Sequence, residues 1–259
     1  MPGISYFDTH CHLQDQRYSG TIGDVLDRAQ RAGVKGFLCC GTCGGREWQT
    51  VAHLAESWPA VVPAFGLHPW FVSDRTPDWL DILEKRLVEN PASCCGEIGI
   101  DHACEESTFE TQESVFVEQL KLAATLGRPV SVHCRRAFGR LLELVKGIGG
   151  IRNGGVIHSY SGPPDLIRPL IELGFSISFS GSLTFPGSKR ARAAAAVVPG
   201  ERLLVETDSP DIKPYLCEME LNEPSNVVRV AQALAEIREI SVEEVAAATW
   251  ENASRLFLK

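Results

Sequence analysis

The sequence predicts a single (β/α)8 barrel of the TIM type over residues 1–259, with its functional groups at the C-terminal ends of the strands. Two observations carry this. Eight short apolar, β-branched segments recur along the chain, and many end in a polar or small residue. With His12, Cys40, His68, Glu97, His133, His158, Ser180 and Asp208 as strand-end markers, the intervals are 28, 28, 29, 36, 25, 22 and 28 residues. Each interval is about one βα unit, and helical patterns with start and stop signals fill the spaces between them. No linker divides the chain.

The elements follow in order. Residues 4–7 lead into Asp8-Thr9-His10. A helix is expected over 21–32, with Thr21 as N-cap, Val25, Leu26 and Ala29 on one face, and Gly33 at the exit. Residues 36–40 run to Gly41-Thr42, and Trp48, Val51 and Leu54 mark the next helix, with His53 at its boundary. Residues 61–67 run to His68-Pro69, and residues 92–95 to Gly96-Glu97. A helix over 114–126 carries Phe116, Leu120 and Ala123 on a stripe and stops at Gly127. Residues 129–132 precede His133, and residues 156–157 precede His158. A helix over 164–173 ends at Gly174. Residues 175–179 precede Ser180-Gly181, and residues 203–205 precede Glu206-Thr207-Asp208. Ser241 and Glu244 form a capping box that opens a helix over 242–250.

Hydrophobic content of 44% and charged content of 22% fit an ordinary globular protein. The first residues, Met1-Pro2-Gly3-Ile4, do not open a signal peptide, and no apolar run approaches the ~20 residues of a membrane span. Nine cysteines, an odd number with Cys39 and Cys40 in an apolar strand, fit reduced thiols and a cytoplasmic location. A net charge of −8 argues against a broad basic face that coats nucleic acid. It leaves room for an enzyme that grips a few phosphates locally.

In such barrels the active site lies at the C-terminal strand ends, so the markers converge on one mouth. Asp8, His10 and His12 alternate, which turns all three to one side. Glu97, His133, His158 and Asp208 stand at other strand ends, and five of the seven histidines occupy such positions. A mixed set of imidazoles and carboxylates suits two divalent ions such as Zn²⁺, Mn²⁺ or Mg²⁺, with Glu97 able to bridge them. The expected metal ligands are His10, His12, Glu97, His133, His158 and Asp208. Asp208 would also orient a water and take its proton. His68 would contact substrate or leaving group, or else be a hydrogen-bonded cap before Pro69. Asp8 and Asp101 are expected to hold ligand histidines in place. Arg135 is the candidate for a substrate anion. Lys189, Arg190 and Arg192 either reach phosphates or begin a solvated helix. Cys40 and Cys43 have a C-x-x-C spacing without a second pair, and His102 lies in an acidic loop.

The motifs resemble the TatD family of metal-dependent hydrolases, the TatD-type deoxyribonucleases. The resemblance begins at Asp8-Thr9-His10-Cys11-His12-Leu13 and passes through Gly66-Leu67-His68-Pro69, Gly96-Glu97-Ile98-Gly99-Ile100-Asp101 and Val132-His133-Cys134-Arg135. It continues in His158-Ser159-Tyr160-Ser161-Gly162, Glu206-Thr207-Asp208-Ser209-Pro210, Asn222-Glu223-Pro224 and Thr249-Trp250-Glu251-Asn252. It implies a (β/α)8 barrel and hydrolysis of ester bonds, typically DNA phosphodiesters. It places His10, His12, Glu97 and Asp208 on one ion and Glu97, His133 and His158 on the other. Two stretches depart from it. His102-Ala103-Cys104-Glu105-Glu106 stands where many relatives carry aromatic and basic residues, and Cys217-Glu218-Met219-Glu220 where many carry basic ones, which removes phosphate-contacting charge.

Three functions are therefore weighed. The first is a two-metal deoxyribonuclease or phosphodiesterase acting on DNA. The second is a two-metal hydrolase of a small carboxylic ester, amide or phosphoester, for which an acidic mouth is the sign. The third is a metal-binding scaffold without turnover.

Overall fold

The computed structural model describes residues 4–104 and 109–258. Met1-Pro2-Gly3, Glu105 and Glu106, for which the sequence carries expectations, lie outside these residues. Eight parallel strands lie in sequence order: β1 (Tyr6–Cys11), β2 (Val34–Cys40), β3 (Val61–Phe65), β4 (Cys94–Asp101), β5 (Val130–Arg135), β6 (Gly155–Ile157), β7 (Phe175–Phe179) and β8 (Leu203–Val205). The helices between and after them are α1 (Ile22–Arg31), α2 (Gly45–Ser57), α3 (Trp79–Glu89), α4 (Phe109–Thr125), α5 (Phe138–Gly147), α6 (Ile167–Glu172), α7 (Lys189–Val197), α8 (Val227–Arg238) and α9 (Val242–Phe257). The first and last strands meet just beyond β8, where Asp208 N–H donates to His10 O at 2.9 Å and His12 N–H to Ser209 O at 2.8 Å. The result is the nearly closed (β/α)8 barrel that the periodicity predicts. No described helix is long and apolar enough to cross a membrane.

Each strand faces two environments. Phe37, Cys39, Phe65, Cys95, Ile177 and Phe179 pack outward against the helical layer. Phe7, Leu38, Val62, Cys94, Val156 and Leu204 fill the bottom of the barrel, where Ala253 and Phe257 of α9 plug it. Burying side chains of this size contributes about 1.5–3 kcal/mol each, so the apolar bottom stabilises a barrel whose top is polar. This plug is why α9 continues to Phe257, beyond the helix expected over 242–250. Its capping box is as predicted, with Ser241 Oγ accepting from Glu244 N–H.

Several expectations need correction. Strand β1 begins at Tyr6 and runs on through His10 to Cys11. Strand β4 continues through Glu97 to Asp101, and β5 through His133 to Arg135, so these residues lie within strands rather than after them. Thr21 stands before α1, but its hydroxyl donates to Tyr18 O and caps nothing in the helix. The helix expected over 164–173 is a 3-10 turn, Pro164–Leu166, followed by α6. Helix α4 begins before Ser114, at Phe109, and buries Phe116, Leu120 and Ala123 as expected.

Candidate metal centre

The strand ends bring the predicted ligands together. The even alternation expected of Asp8, His10 and His12 is interrupted, because pairing steps from Asp8 to Cys11 on β1 while β2 advances only from Phe37 to Cys39. Both imidazoles still reach the mouth. Asp8 instead turns to Thr207, accepting from its N–H at 2.9 Å and its hydroxyl at 2.5 Å. It meets the backbone N–H of His10 at 3.3 Å, so it steadies the strand and not the imidazole ring. Burial raises the Asp8 carboxyl to about 8.

Glu97 lies at the centre, 3% exposed, and its two oxygens face different groups. Oε2 is 3.3 Å from His10 Nε2 and 3.7 Å from His12 Nε2. Asp208 Oδ1 completes that side, at 3.4 Å from His12 Nε2 and 3.8 Å from His10 Nε2. Oε1 is 3.0 Å from His158 Nε2, 3.2 Å from His133 Nδ1 and 3.3 Å from His68 Nε2. His133 Nδ1 and His158 Nε2 are themselves 3.1 Å apart.

These donors fit metal ions. His10 Nε2 is buried and has no hydrogen-bond partner among the described residues, as expected of a nitrogen whose partner is a cation. Nitrogen and oxygen donors about 2.1 Å from a tetrahedral ion stand roughly 3.4 Å from one another, close to the spacings around Glu97. Clusters able to hold an ion are formed by His10, His12 and Asp208, by His10, Glu97 and His158, and by His68, Glu97 and His133. No cysteine joins these clusters among the described residues, so the C-x-x-C spacing of Cys40 and Cys43 marks no thiolate site.

The outer partners orient the rings. His12 Nδ1 lies 2.8 Å from Cys40 O, which fixes its proton there and leaves Nε2 free for an ion. His10 Nδ1 faces Ser131 Oγ at 3.1 Å. Asp101 Oδ2 accepts from Trp70 Nε1 at 2.8 Å and faces His133 Nε2 at 3.3 Å, the holding role expected of it. Glu206 was missed as a partner. It is fully buried, accepts from Ser159 N–H at 2.6 Å and places Oε1 3.4 Å from His158 Nδ1. It lies within the Glu206-Thr207-Asp208 motif, but only the pairing of distant strand ends shows which histidine it meets. Replacing Glu206 with Gln keeps the shape and removes the charge behind His158. Metal affinity is expected to fall 10- to 100-fold, as for outer-shell partners generally, read by competition with a chromogenic chelator. Unchanged affinity would remove Glu206 from the centre.

Charge in the mouth is balanced by these contacts. Burial opposes ionisation of Glu97, but His68, His158 and His10 hold its carboxyl well below the usual range. Asp208 is likewise held low by its His12 bond and by His158 and His10. Burial opposes protonation of His12, yet Asp208 and Glu97 raise it to about 9. His158 is raised well above its ordinary value by Glu97 and Glu206 against the same burial. Burial dominates at His68 and lowers it to about 4. His68 Nδ1 accepts from Trp70 N–H at 3.2 Å, so the neutral ring carries its proton on Nε2, facing Glu97.

The centre opens into a cavity of about 1030 Å³. Arg135 lines it, as does Arg46, and both are exposed. Arg17 also lines it, but Asp15 and Asp211 each hold it at 2.8 Å. Trp70 and Phe71 form an aromatic wall. Among the described residues, neither 102–104 nor 217–220 lines this cavity, so the acidity expected from those stretches comes from Asp15, Glu47 and Asp211 instead. Lys189 and Arg190 lie exposed at the start of α7, away from the cavity. His102 stacks on Phe109, and His53 is exposed beside Glu56.

A parallel barrel that gathers imidazoles and carboxylates around shared points at its strand ends is the architecture of a metal-dependent hydrolase, and this protein is one. Comparison with known proteins gives the family. The sequence profile described as TatD related DNase matches residues 7–258, and the chain belongs to that family. It is 32% identical over 252 residues to the uncharacterized metal-dependent hydrolase YabD of Bacillus subtilis, covering 97% of this chain and 98% of YabD. It is 32% identical over 268 residues to the putative deoxyribonuclease tatdn3 of Danio rerio, covering 98% and 97%. Its fold superposes on the crystal structure of YjjV, a TatD homologue from Escherichia coli, with a TM-score of 0.93 and 32% identity over 98% of each chain.

Proposed function

We propose that this protein is a two-metal phosphodiesterase that shortens DNA. The observation that carries this reading is the division of Glu97, with Oε2 facing His10 and His12 and Oε1 facing His133 and His158. A carboxylate so placed could serve two ions, which would supply chemistry suited to displacement at phosphorus. His10, His12, Glu97 and Asp208 would hold one ion, and Glu97, His133 and His158 the other. Zn²⁺ and Mn²⁺ suit such donors, and Mg²⁺, which prefers oxygen ligands, suits them less.

Bound ions would supply hydroxide near neutral pH and neutralise charge on a phosphoryl oxygen. The residues do the rest. Ionised Asp208 orients the water and takes its proton. Neutral His68 presents Nε2–H to a substrate oxygen. Arg135 grips a flanking phosphate, and Trp70 and Phe71 offer faces for bases, which stack on aromatic side chains whatever their sequence. Family membership and the name of the Danio rerio relative support DNA as the substrate class. One observation favours the small-ester alternative, namely that Asp15 and Asp211 neutralise Arg17 at the rim.

The deciding experiment strips the protein with chelator and reloads it with Mg²⁺, Mn²⁺ or Zn²⁺. End-labelled single-stranded DNA is then assayed beside a chromogenic carboxylic ester. Metal-restored shortening of DNA, absent in Glu97→Ala, is the expected result. Ester turnover with the DNA intact would overturn the nuclease reading in favour of the small substrate. In the same assay Arg135→Ala is expected to raise KM about tenfold with kcat little changed, because a phosphate contact remote from the reacting bond is formed equally in ground and transition states. A kcat defect at unchanged KM would reject this role.

Metal loading should also release protons. In the metal-free protein His12, raised to about 9, holds a proton at pH 7 that a ligand must lose. A folded value raised this way is protonated below pH 9, so apparent metal affinity rises with pH from 6 to 9. Calorimetry in buffers of different ionisation enthalpy should show net proton release at pH 7. Equal heats in all buffers would contradict it.

A further inference from the structure

The opposite end of the barrel holds a second concavity. The segments entering β6, β7 and β8 line it, together with the last turns of α9, and its volume is about 210 Å³. Three arginines reach it from three different elements: Arg152 ahead of β6, Arg202 ahead of β8, and Arg255 on α9. No carboxylate lines it among the described residues. The arginines that do form ion pairs with carboxylates among those residues are Arg17, Arg28, Arg86, Arg140 and Arg168. In a chain of net charge −8, three guanidinium groups gathered without a counter-charge are a local reversal of sign.

The concavity is built rather than incidental. Arg255 is fixed by two bonds from Nη2, to Glu201 O at 2.9 Å and to Asn252 Oδ1 at 2.7 Å. Asn252 is in turn pinned, its Nδ2 donating to Gly200 O at 2.8 Å and Leu203 O at 2.9 Å. Among the described residues the Nε and Nη1 donors of Arg255 have no acceptor, although a guanidinium has five N–H groups. Ser176 of β7 gives an independent sign. It lines the concavity and is 7% exposed, on the strand face that alternates with the outward-packed Ile177. The next serine inward along the same strand, Ser178, is bonded to Thr9. A hydroxyl able to donate, beside three guanidinium groups and with no carboxylate among the lining residues described, makes a set suited to an oxyanion.

We propose that this pocket at the N-terminal end of the barrel is a binding site for a small phosphate dianion, either inorganic phosphate or the terminal phosphate of a mononucleotide. The volume is below the roughly 300–1,000 Å³ of sites that enclose a whole ligand, so the phosphate group is held and anything attached to it projects into solvent. The site is an effector site and not a second active site, because catalytic groups in such barrels stand at the other face. It is independent of the substrate of the metal centre.

The test is calorimetric titration of inorganic phosphate into the full chain carrying Glu97→Ala, with any phosphate drawn to the histidines of the metal centre set apart as the heat that survives Arg152→Gln/Arg202→Gln. One phosphate is expected to bind, about tenfold more weakly for each of Arg152→Gln and Arg202→Gln. Ser176→Ala, a change too small to endanger the fold, should also weaken it, and Arg202→Lys should recover part of what Arg202→Gln loses. Against an otherwise native background, Arg152→Gln/Arg202→Gln should hydrolyse substrate at the parent rate in the absence of phosphate. Deoxyadenosine 5′-monophosphate binding as tightly as phosphate or tighter identifies a nucleotide source, and weaker binding identifies the free ion. The proposal is overturned if Glu97→Ala protein binds no phosphate, if Arg152→Gln/Arg202→Gln binds it as tightly as the parent, or if uncharged deoxyadenosine competes as well as its monophosphate.

Discussion

Replacing Glu97 with Ala is expected to lower metal-dependent turnover by about 10³-fold or more, a loss of roughly 4 kcal/mol of transition-state stabilisation. The size follows from position. Among the described residues Glu97 is the carboxylate that meets both groups of imidazoles, with His10 and His12 on Oε2 and His68, His133 and His158 on Oε1. Without it the two sides share no ligand, and the protonated forms of His133 and His158 lose the charge that favours them. Divalent cations would then enter a site of positive sign. Metal analysis after dialysis should give fewer than two ions per chain, while far-UV circular dichroism stays that of the parent. Glu97→Gln should fail nearly as badly, because an amide keeps the volume but places donor hydrogens where a cation must sit. Near-parent turnover by either variant after stripping and reloading would sink the assignment of the centre.

Much of this centre was legible because barrel topology turns one-dimensional spacing into convergence. Once the chain is parsed into βα units, each residue at a strand's end is a neighbour of the others, whatever its distance in sequence. His10, His12, Glu97, His133, His158 and Asp208 could be gathered on that ground alone. Boundaries were less legible, and the reason lies in the glycines. Gly96 reads as punctuation after a short strand, yet β4 runs through it and Gly99 to Asp101, since glycine is what lets the chain pass close to β5. The partners behind the ligands were the hardest to see. Ser131 against His10 and Glu206 against His158 are pairs across the barrel, and no local pattern names them. His68 illustrates a different limit. The cap read from the sequence is present, with Nδ1 on the 3-10 turn Pro69–Asp74, and the same ring turns Nε2 to Glu97, an arrangement the sequence could not show.

The second large effect is expected at Gly99, the residue of β4 paired with His133. Its φ is +151°, a conformation side chains rarely adopt, and a Cβ there would lie 2.0 Å from His133 O, 2.8 Å from His133 C and 3.0 Å from His133 N. These are backbone atoms, so no rotamer change relieves the clash. Gly99→Ala must part β4 from β5 or bend one of them, at a cost of about 3 kcal/mol or more. For a chain of this size that is a fall in Tm of roughly 10 °C. The damage falls on the two strands that carry Glu97, Asp101 and His133, so metal affinity should drop along with stability. Gly139→Ala is the control, lying in α5 at ordinary φ with nothing within 4 Å of the added carbon. It should be neutral or raise Tm slightly, as alanine does for glycine inside a helix. If Gly99→Ala melted no lower than Gly139→Ala and bound metal as the parent does, the close approach of β4 to His133 would not be what holds this side of the centre in place.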